Sequence, residues 1–177
     1  MIKRICLYAG PGGGKSTMAA RLFAQLKVDG RDVEHVNEYI KPWAYAGRFP
    51  KGLDQWLIFA KQLHREECLL RHVPLVITDS PVLMNVFYAR KYNVPGWQHL
   101  VELARLYEEI YPGLHVYLHR NHPYQNEGRY QDEAQANEIG TEIQAFMREF
   151  LPATVRVYYD NRPYDELLQF IRDQSQP

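Results

Sequence analysis

A glycine-rich stretch near the start of the chain limits the folds that this sequence can adopt. Residues 9–17 read Ala-Gly-Pro-Gly-Gly-Gly-Lys-Ser-Thr and follow directly on an apolar run from Ile5 to Tyr8. A short buried strand, a glycine loop and a helix that starts at Lys15 form the layout of a phosphate-binding loop, or P-loop. The glycines let backbone N–H groups turn toward an anion, and the helix start adds a positive dipole end. We therefore expect a nucleotide phosphate to bind here, although Ala9 stands where the strict pattern has glycine.

The residues of the P-loop have distinct expected roles. Lys15 reaches the β- and γ-phosphates of a bound nucleotide, and the Ser16 hydroxyl ligates Mg²⁺. The full set of predicted nucleotide-binding residues is Gly10, Pro11, Gly12, Gly13, Gly14, Lys15, Ser16 and Thr17.

The charge balance and the cysteines restrict the classes of protein. The 177 residues carry 21 basic and 21 acidic side chains, which argues against a generally basic nucleic-acid-binding protein but leaves a local basic patch open. Two cysteines, Cys6 and Cys68, do not make a disulfide framework, and we expect both to pack in the core of a cytoplasmic protein. No apolar run approaches membrane-spanning length, so we expect no membrane partner.

Apolar runs and helical periodicities alternate along the chain. Strands are predicted at 2–8, 32–37, 74–78, 114–119 and 154–159, and helices at 15–29, 53–72, 82–92, 97–110, 133–150 and 163–173. Residues 40–52 are predicted to be irregular, and the polar segment 120–132 to be a mobile loop that acts as a lid. Such alternation indicates one three-layer α/β domain over residues 1–177, with a parallel sheet and ligands beyond the carboxyl ends of its strands.

Two carboxylates follow predicted strands. Asp79 ends the run Val76-Ile77-Thr78, which places it beside the P-loop, where it contacts Ser16 or holds Mg²⁺ through water. The alternative role for Asp79 is a helix N-cap ahead of Pro81. Glu38 ends the second strand and faces the acceptor side of the cleft, where it orients a hydroxyl or accepts its proton; the alternative is a solvated loop glutamate.

Two arginines bracket the polar loop. Arg120 and Arg129 are predicted to close over a transferring phosphoryl group, because guanidinium groups bind phosphate bidentately and stay charged. Surface ion pairs are the alternative for both.

A further set of polar and aromatic residues is predicted on the acceptor side. Tyr39 and Trp43 are candidates to stack on a base, or else pack the loop against the core. Gln55, Gln62 and Arg65 lie near one another by helical spacing and are candidates to bind a base edge or an acceptor phosphate; a solvated helix face is equally compatible.

With these positions identified, the sequence resembles P-loop nucleoside and nucleotide kinases of the thymidylate kinase and deoxynucleoside kinase group. The closer resemblance is to small phage-type kinases, which include nicotinamide riboside kinase-like ATPases and kinases of 5-hydroxymethyluracil in DNA. The segments that carry the resemblance are Gly10 to Thr17, Asn37-Glu38-Tyr39, Asp54 to Gln62, Val76 to Pro81, and Gly128-Arg129-Tyr130-Gln131.

This resemblance implies a five-stranded sheet in the order 2-3-1-4-5 and ATP and Mg²⁺ as cofactors. It also implies transfer of the γ-phosphate to a nucleoside-like hydroxyl, such as the 5-hydroxymethyl group of a modified pyrimidine in DNA. A nucleoside monophosphate kinase and a regulatory P-loop NTPase are the alternatives. The chain departs from deoxynucleoside kinases in having Tyr39 directly after Glu38, and in reading Asp79-Ser80-Pro81 without the arginine of their Asp/Glu-Arg-Ser motif. A DNA acceptor is favoured by basic residues expected on this side: Lys41, Arg48, Lys51, Arg90 and Lys91.

Overall fold

A computed structural model describes residues 2–120, 122–125, 130–151, 156–158 and 163–174. The strands are β1 (Arg4–Tyr8), β2 (Val33–Val36), β3 (Leu75–Thr78), β4 (Gly113–Leu118) and β5 (Arg156–Tyr158). The helices are α1 (Lys15–Val28), α2 (Lys41–Tyr45), α3 (Asp54–Leu70), α4 (Val82–Lys91), α5 (Trp97–Ile110), α6 (Glu133–Phe150) and α7 (Pro163–Gln174).

The strands form one parallel sheet in the order β2-β3-β1-β4-β5, which confirms the predicted three-layer α/β class. β1 lies at its centre and is buried along its whole length, as its unbroken apolar run requires in a sheet covered on both faces. β5 is a short strand of three residues at the sheet edge. Because the sheet is parallel, the loops after β1, β2 and β3 all leave from the carboxyl ends of the strands. The P-loop therefore lies on the same side of the sheet as the residues that follow β2 and β3.

Each face of the sheet is covered by helices. On one face, Leu22 and Leu26 of α1 pack with Leu167 and Ile171 of α7. On the other face, α3, α4, α5 and α6 enclose a second core that includes Phe87 and Phe146, whose ring centroids are 5.6 Å apart. Among the helices in the described ranges, none has both the length and the apolar character needed to cross a bilayer.

A charged network is buried where the strands begin. Arg4 forms ion pairs with Glu66 at 3.4 Å and with Glu108, and Glu108 contacts His115 at 2.9 Å. The Tyr8 hydroxyl lies 2.9 Å from the other ring nitrogen of His115. Burial by itself raises the pKa of Glu108, but His115, Arg4 and a backbone N–H hold that pKa at about 2. The network ties β1, α3, α5 and β4 together.

Two expectations were wrong. The segment 40–52 is not wholly irregular, because α2 forms within it, with Pro42 at its first turn, where the missing N–H costs nothing. Cys68 is exposed rather than packed in the core, since it shares the outer face of α3 with His64, one turn away.

Candidate active site

The P-loop curls around its own backbone. Gly12 and Gly14 have φ angles of 74° and 81°, values at which an L side chain is strained. The Gly13 N–H donates to the Gly10 carbonyl at 3.0 Å, and the Lys15 ammonium donates to the Ala9 carbonyl at 3.2 Å. Lys15 therefore lies over the loop at the start of α1, where the helix dipole favours an anion.

The loop has room for the methyl group of Ala9, its one departure from the strict pattern, because Gly13 has no side chain. A Cβ atom on Gly13 would lie 2.4 Å from the Ala9 Cβ, so the space that glycine vacates at position 13 is filled from position 9. Gly10 is confined in the same way, because its Cβ would lie 2.7 Å from the Ala136 carbonyl on α6. The loop is thus packed closely on both sides.

Asp79 and Glu38 are joined across the ends of β3 and β2. The Asp79 carboxylate is 2 % exposed, and its Oδ1 accepts a hydrogen bond from the Glu38 N–H at 2.9 Å. Asp79 does not cap α4, whose N-cap position is Pro81 and carries no side-chain cap. A carboxylate here and the Ser16 hydroxyl at the start of α1 are the hard oxygen ligands that Mg²⁺ prefers, so these residues fit the expected metal.

The Glu38 carboxyl has a strongly perturbed environment. Burial raises its pKa above the usual value; Lys15 and Lys41 lower the pKa, and the charge of Asp79 raises it further. A glutamate with a raised pKa, beside a phosphate-binding lysine, is suited to accept a proton from an acceptor.

The polar residues predicted on α3 have different positions. Gln62 is 1 % exposed, and its Oε1 accepts the Tyr39 N–H at 3.0 Å, so it supports the backbone after Glu38. Gln55 is also buried, in the first turn of α3. Arg65 is exposed, with its guanidinium 5.0 Å from the centroid of the Tyr39 ring. The helical spacing therefore does not bring the three side chains to one open face.

The aromatic residues on the acceptor side form a row with two arginines. The rings of Tyr39 and Trp43 are 6.2 Å apart, and the Arg48 guanidinium lies 3.4 Å from the centroid of Trp43. The row continues to Tyr130, whose hydroxyl donates to the Arg48 carbonyl at 2.5 Å. Phe49 joins the same contact, with its ring 4.5 Å from that of Tyr130. This contact joins the loop before α3 to the segment before α6.

Arg120 borders a polar cavity of about 350 Å³ between the P-loop and α6. Its guanidinium donates to Glu133 at 2.9 Å and to Asn137 at 2.7 Å, so the ion pair considered as an alternative is present. Its Nη1 atom is buried with no hydrogen-bond partner among the described residues. Gly10, Pro11 and Gly13 line the same cavity, which places Arg120 beside the phosphate loop. Arg129 lies outside the described residues.

Two of the predicted basic residues are engaged elsewhere. Arg90 pairs with Glu149 at 2.7 Å, and Lys91 pairs with Glu142. Both partners belong to α6, so these two cations brace α4 against α6 and do not extend a basic surface from the acceptor loop.

Three contacts near the site were not predicted from the sequence. Tyr130 reaches Arg48 across 82 positions, a separation that no periodicity reports. His122 follows β4, and its Nε2 lies 3.7 Å from where a Gly14 Cβ would be. Glu66 accepts a hydrogen bond from the Thr78 hydroxyl at 3.0 Å. A glutamate among the apolar positions of α3 is the signal that would have pointed to Glu66.

The sheet order, the glycine loop and the carboxylates at the strand ends define a P-loop nucleotide-binding domain. Residues 4–161 match the family model described as an AAA domain, and the chain belongs to that family. No curated protein sequence matches the chain significantly.

Solved structures share the fold at low sequence identity. The deoxyadenosine kinase of M. mycoides with products dCMP and a flexible dCDP bound has a TM-score of 0.58 at 13% identity, covering 97% of both chains. The same kinase with bound dATP gives a TM-score of 0.53 at 15% identity, covering 97% of this chain and 98% of that one. The crystal structure of APE1195 gives a TM-score of 0.50 at 16% identity, covering 98% of this chain and 94% of that one.

Proposed function

We propose that the protein is an ATP- and Mg²⁺-dependent kinase that transfers the γ-phosphate to a hydroxyl of a nucleoside-like acceptor. One observation carries the proposal: Asp79, which follows β3, accepts the backbone N–H of Glu38, which follows β2, at the edge of the sheet where the P-loop follows β1. A phosphate-binding group and a candidate base thus lie at the same edge of the sheet. The whole chain is proposed to be one kinase domain, with the segment 120–132 as its lid and the cytoplasm as its location.

The donor half of the reaction uses the P-loop. Its backbone N–H groups and Lys15 would hold the β- and γ-phosphates, and Ser16 and Asp79 would hold Mg²⁺, directly or through water. The metal neutralises charge on the phosphate oxygens when it is bound. Lys15, together with Arg120 and Arg129, balances the negative charge that develops on the transferring group and on the leaving ADP.

The acceptor half uses Glu38. As the acceptor oxygen forms its bond to the γ-phosphorus, the bond from that phosphorus to the β–γ bridging oxygen breaks, and Glu38 takes the hydroxyl proton. Burial favours the neutral carboxylic acid and raises the pKa, which makes Glu38 a stronger base once it is ionised. Positioning supplies much of the remaining acceleration.

The acceptor is proposed to carry a nucleobase. Support comes from the row of Tyr39, Trp43, Arg48 and Arg65, which combines aromatic faces with guanidinium groups beside Glu38. The similarity of fold to a deoxyadenosine kinase is consistent with this acceptor. We propose the 5-hydroxymethyl group of a modified pyrimidine in DNA as the specific acceptor, supported by Lys41, Arg48 and Lys51; the pairing of Arg90 and Lys91 with α6 weakens that support.

A nucleoside monophosphate kinase is the second candidate. It is favoured by the exposed guanidinium group of Arg65, 5.0 Å from the centroid of the Tyr39 ring, which is our candidate to bind an acceptor phosphate. In that case the acceptor oxygen is already anionic, so Glu38→Gln leaves most of the activity in place. Under the first proposal the same change removes it.

The test is transfer of label from [γ-³²P]ATP to four acceptors: hydroxymethylated DNA, unmodified DNA, nucleosides and mononucleotides. Labelled product with one acceptor class identifies the substrate. Lys15→Ala is the control for contaminating kinases. Slow hydrolysis that only a protein partner stimulates, with no labelled acceptor, contradicts the kinase and favours a regulatory P-loop NTPase.

A further inference from the structure

The buried face of α3 carries two polar residues, one turn apart, that point at the ends of two strands. Gln62 is 1 % exposed and Glu66 is fully buried. Gln62 bonds to the backbone after β2, and Glu66 bonds to the last residue of β3. The two strand ends that carry Glu38 and Asp79 are therefore both attached to one helix.

The hydrogen bonds of Glu66 lead to the backbone beside Asp79. The Thr78 hydroxyl donates to Glu66 Oε1 at 3.0 Å, and the Ser80 N–H donates to that hydroxyl oxygen at 3.4 Å. The Thr78 side chain thus fixes the backbone on both sides of Asp79. Arg4 in turn holds the other oxygen of Glu66 at 3.4 Å.

The hydrogen bond of Gln62 leads to the backbone beside Glu38. Two consecutive N–H groups after β2 are held by side chains, that of Glu38 by Asp79 at 2.9 Å and that of Tyr39 by Gln62 at 3.0 Å. This leaves the backbone of Glu38 little freedom to rotate.

A buried carboxylate is costly, so its retention calls for a reason beyond stability. Replacing a buried ion pair with apolar residues of similar volume is often neutral or stabilising. Leucine at position 66 would continue the apolar face of α3. Such a leucine would lose the hydrogen bonds from Thr78 and Tyr107 and the ion pair with Arg4.

We propose that Glu66, acting through Thr78, is a positioning residue for Asp79, and that Gln62 is a positioning residue for Glu38. The inference rests on the proposed function, in which Asp79 holds Mg²⁺ and Glu38 accepts the proton. α3 then sets the spacing between the metal-binding carboxylate and the base.

The first experiment compares Thr78→Val with Thr78→Ser, because variants of Glu66 itself leave Arg4 partly unpaired and risk misfolding. Valine keeps the shape and the strand propensity but loses the hydroxyl, while serine keeps the hydroxyl. Calorimetry measures the affinity for AMPPNP with and without MgCl₂, and thermal unfolding checks the fold. Glu67→Gln, which alters only an exposed pair with Arg71, is the matched control on α3.

The factor by which MgCl₂ increases the affinity for AMPPNP is expected to be about tenfold smaller in Thr78→Val than in wild type. Its Mg²⁺-free affinity, and both affinities of Thr78→Ser and Glu67→Gln, remain within about twofold of wild type. A merely structural role for Thr78 lowers both affinities together, and that result overturns the inference. A wild-type protein with no Mg²⁺ dependence refutes the proposed function as well, whereas dependence retained in Thr78→Val refutes the inference alone.

The second experiment compares Gln62→Met with the control Glu67→Gln in the phosphotransfer assay. Methionine removes the side-chain oxygen that accepts the Tyr39 N–H. We expect Gln62→Met to lower kcat about tenfold with an unchanged Kd for AMPPNP, and Glu67→Gln to change neither quantity. A normal kcat in Gln62→Met, or a weaker AMPPNP affinity that accompanies the lower kcat, overturns the role of Gln62.

Discussion

The close contact between Ala9 and Gly13 leads to a prediction that a double-mutant cycle measures directly. In Gly13→Ala the new Cβ meets the Ala9 Cβ at 2.4 Å, against 3.4–4 Å for an ordinary contact. Gly13 does not have a positive φ, so the substitution is opposed by this overlap and not by backbone conformation. Overpacking of this kind costs about 2 kcal/mol. For a domain of this size that corresponds to a fall in Tm of roughly 4–8 °C.

The companion change, Ala9→Gly, removes the methyl group that causes the overlap. Alone, it costs about 1 kcal/mol, from the lost burial of one methyl group and the added freedom of the unfolded chain. In the double variant the nearest atom to the new Cβ is the Gly10 carbonyl oxygen at 3.1 Å, a contact that a small shift relieves. The double variant is therefore more stable than the sum of the single changes predicts, by about 1–2 kcal/mol.

Thermal unfolding of wild type, Gly13→Ala, Ala9→Gly and the double variant gives this coupling energy for stability. Calorimetry of the same four proteins with AMPPNP gives the coupling energy for nucleotide binding. We expect Gly13→Ala to weaken AMPPNP binding at least tenfold, about 1.4 kcal/mol, and the double variant to recover more than half of that free energy. Strict additivity in both measurements refutes the reasoning, because it means that the two positions do not compete for the same space.

Three further predictions concern the carboxylates. Because the pKa of Glu38 is raised, phosphotransfer to a hydroxyl increases as the pH rises through that pKa, and a pH–rate profile of Glu38→Gln lacks this limb. Asp79→Asn lowers kcat by about 10–100-fold but still binds AMPPNP in calorimetry; near-normal turnover excludes Asp79 as a metal-binding residue. The pKa of Glu108 is lowered from 4.5 to about 2, so its stabilisation is complete above pH 4.5 and is lost as the pH falls toward 2. Glu108→Gln should therefore lower the free energy of unfolding at pH 7 by on the order of 3 kcal/mol and flatten its decline in acid; an unchanged acid limb in urea titrations contradicts this.

The fold followed from the sequence because its signals are local and agree with one another. The apolar runs before Ala9 and Asp79 have the length and composition of buried parallel strands, and α1 and α3 between them show regular apolar spacing. α2 was missed because five residues hold less than two turns of periodicity, and because Gly47 and Pro50 nearby favour a loop.

The candidate site was only partly predictable. Asp79 and Glu38 follow strands, and the topology brings strand ends together, so their approach follows from position alone. The burial of Gln62 does not, because helical spacing says which residues share a face but not which neighbour covers that face. The contact of Tyr130 with Arg48 depends on how two loops fold toward each other, which no local pattern encodes.

The most direct test of the account is single-turnover transfer from [γ-³²P]ATP to an acceptor hydroxyl, with wild type, Lys15→Ala and Glu38→Gln compared at pH 7. The account predicts labelled acceptor with wild type, none with Lys15→Ala, and a rate lower by about 100-fold or more with Glu38→Gln, although Glu38→Gln binds AMPPNP as tightly as wild type does. Transfer at the wild-type rate by Glu38→Gln contradicts Glu38 as the base. Labelled phosphate released to water, with no labelled acceptor from any of the four classes, contradicts the kinase itself.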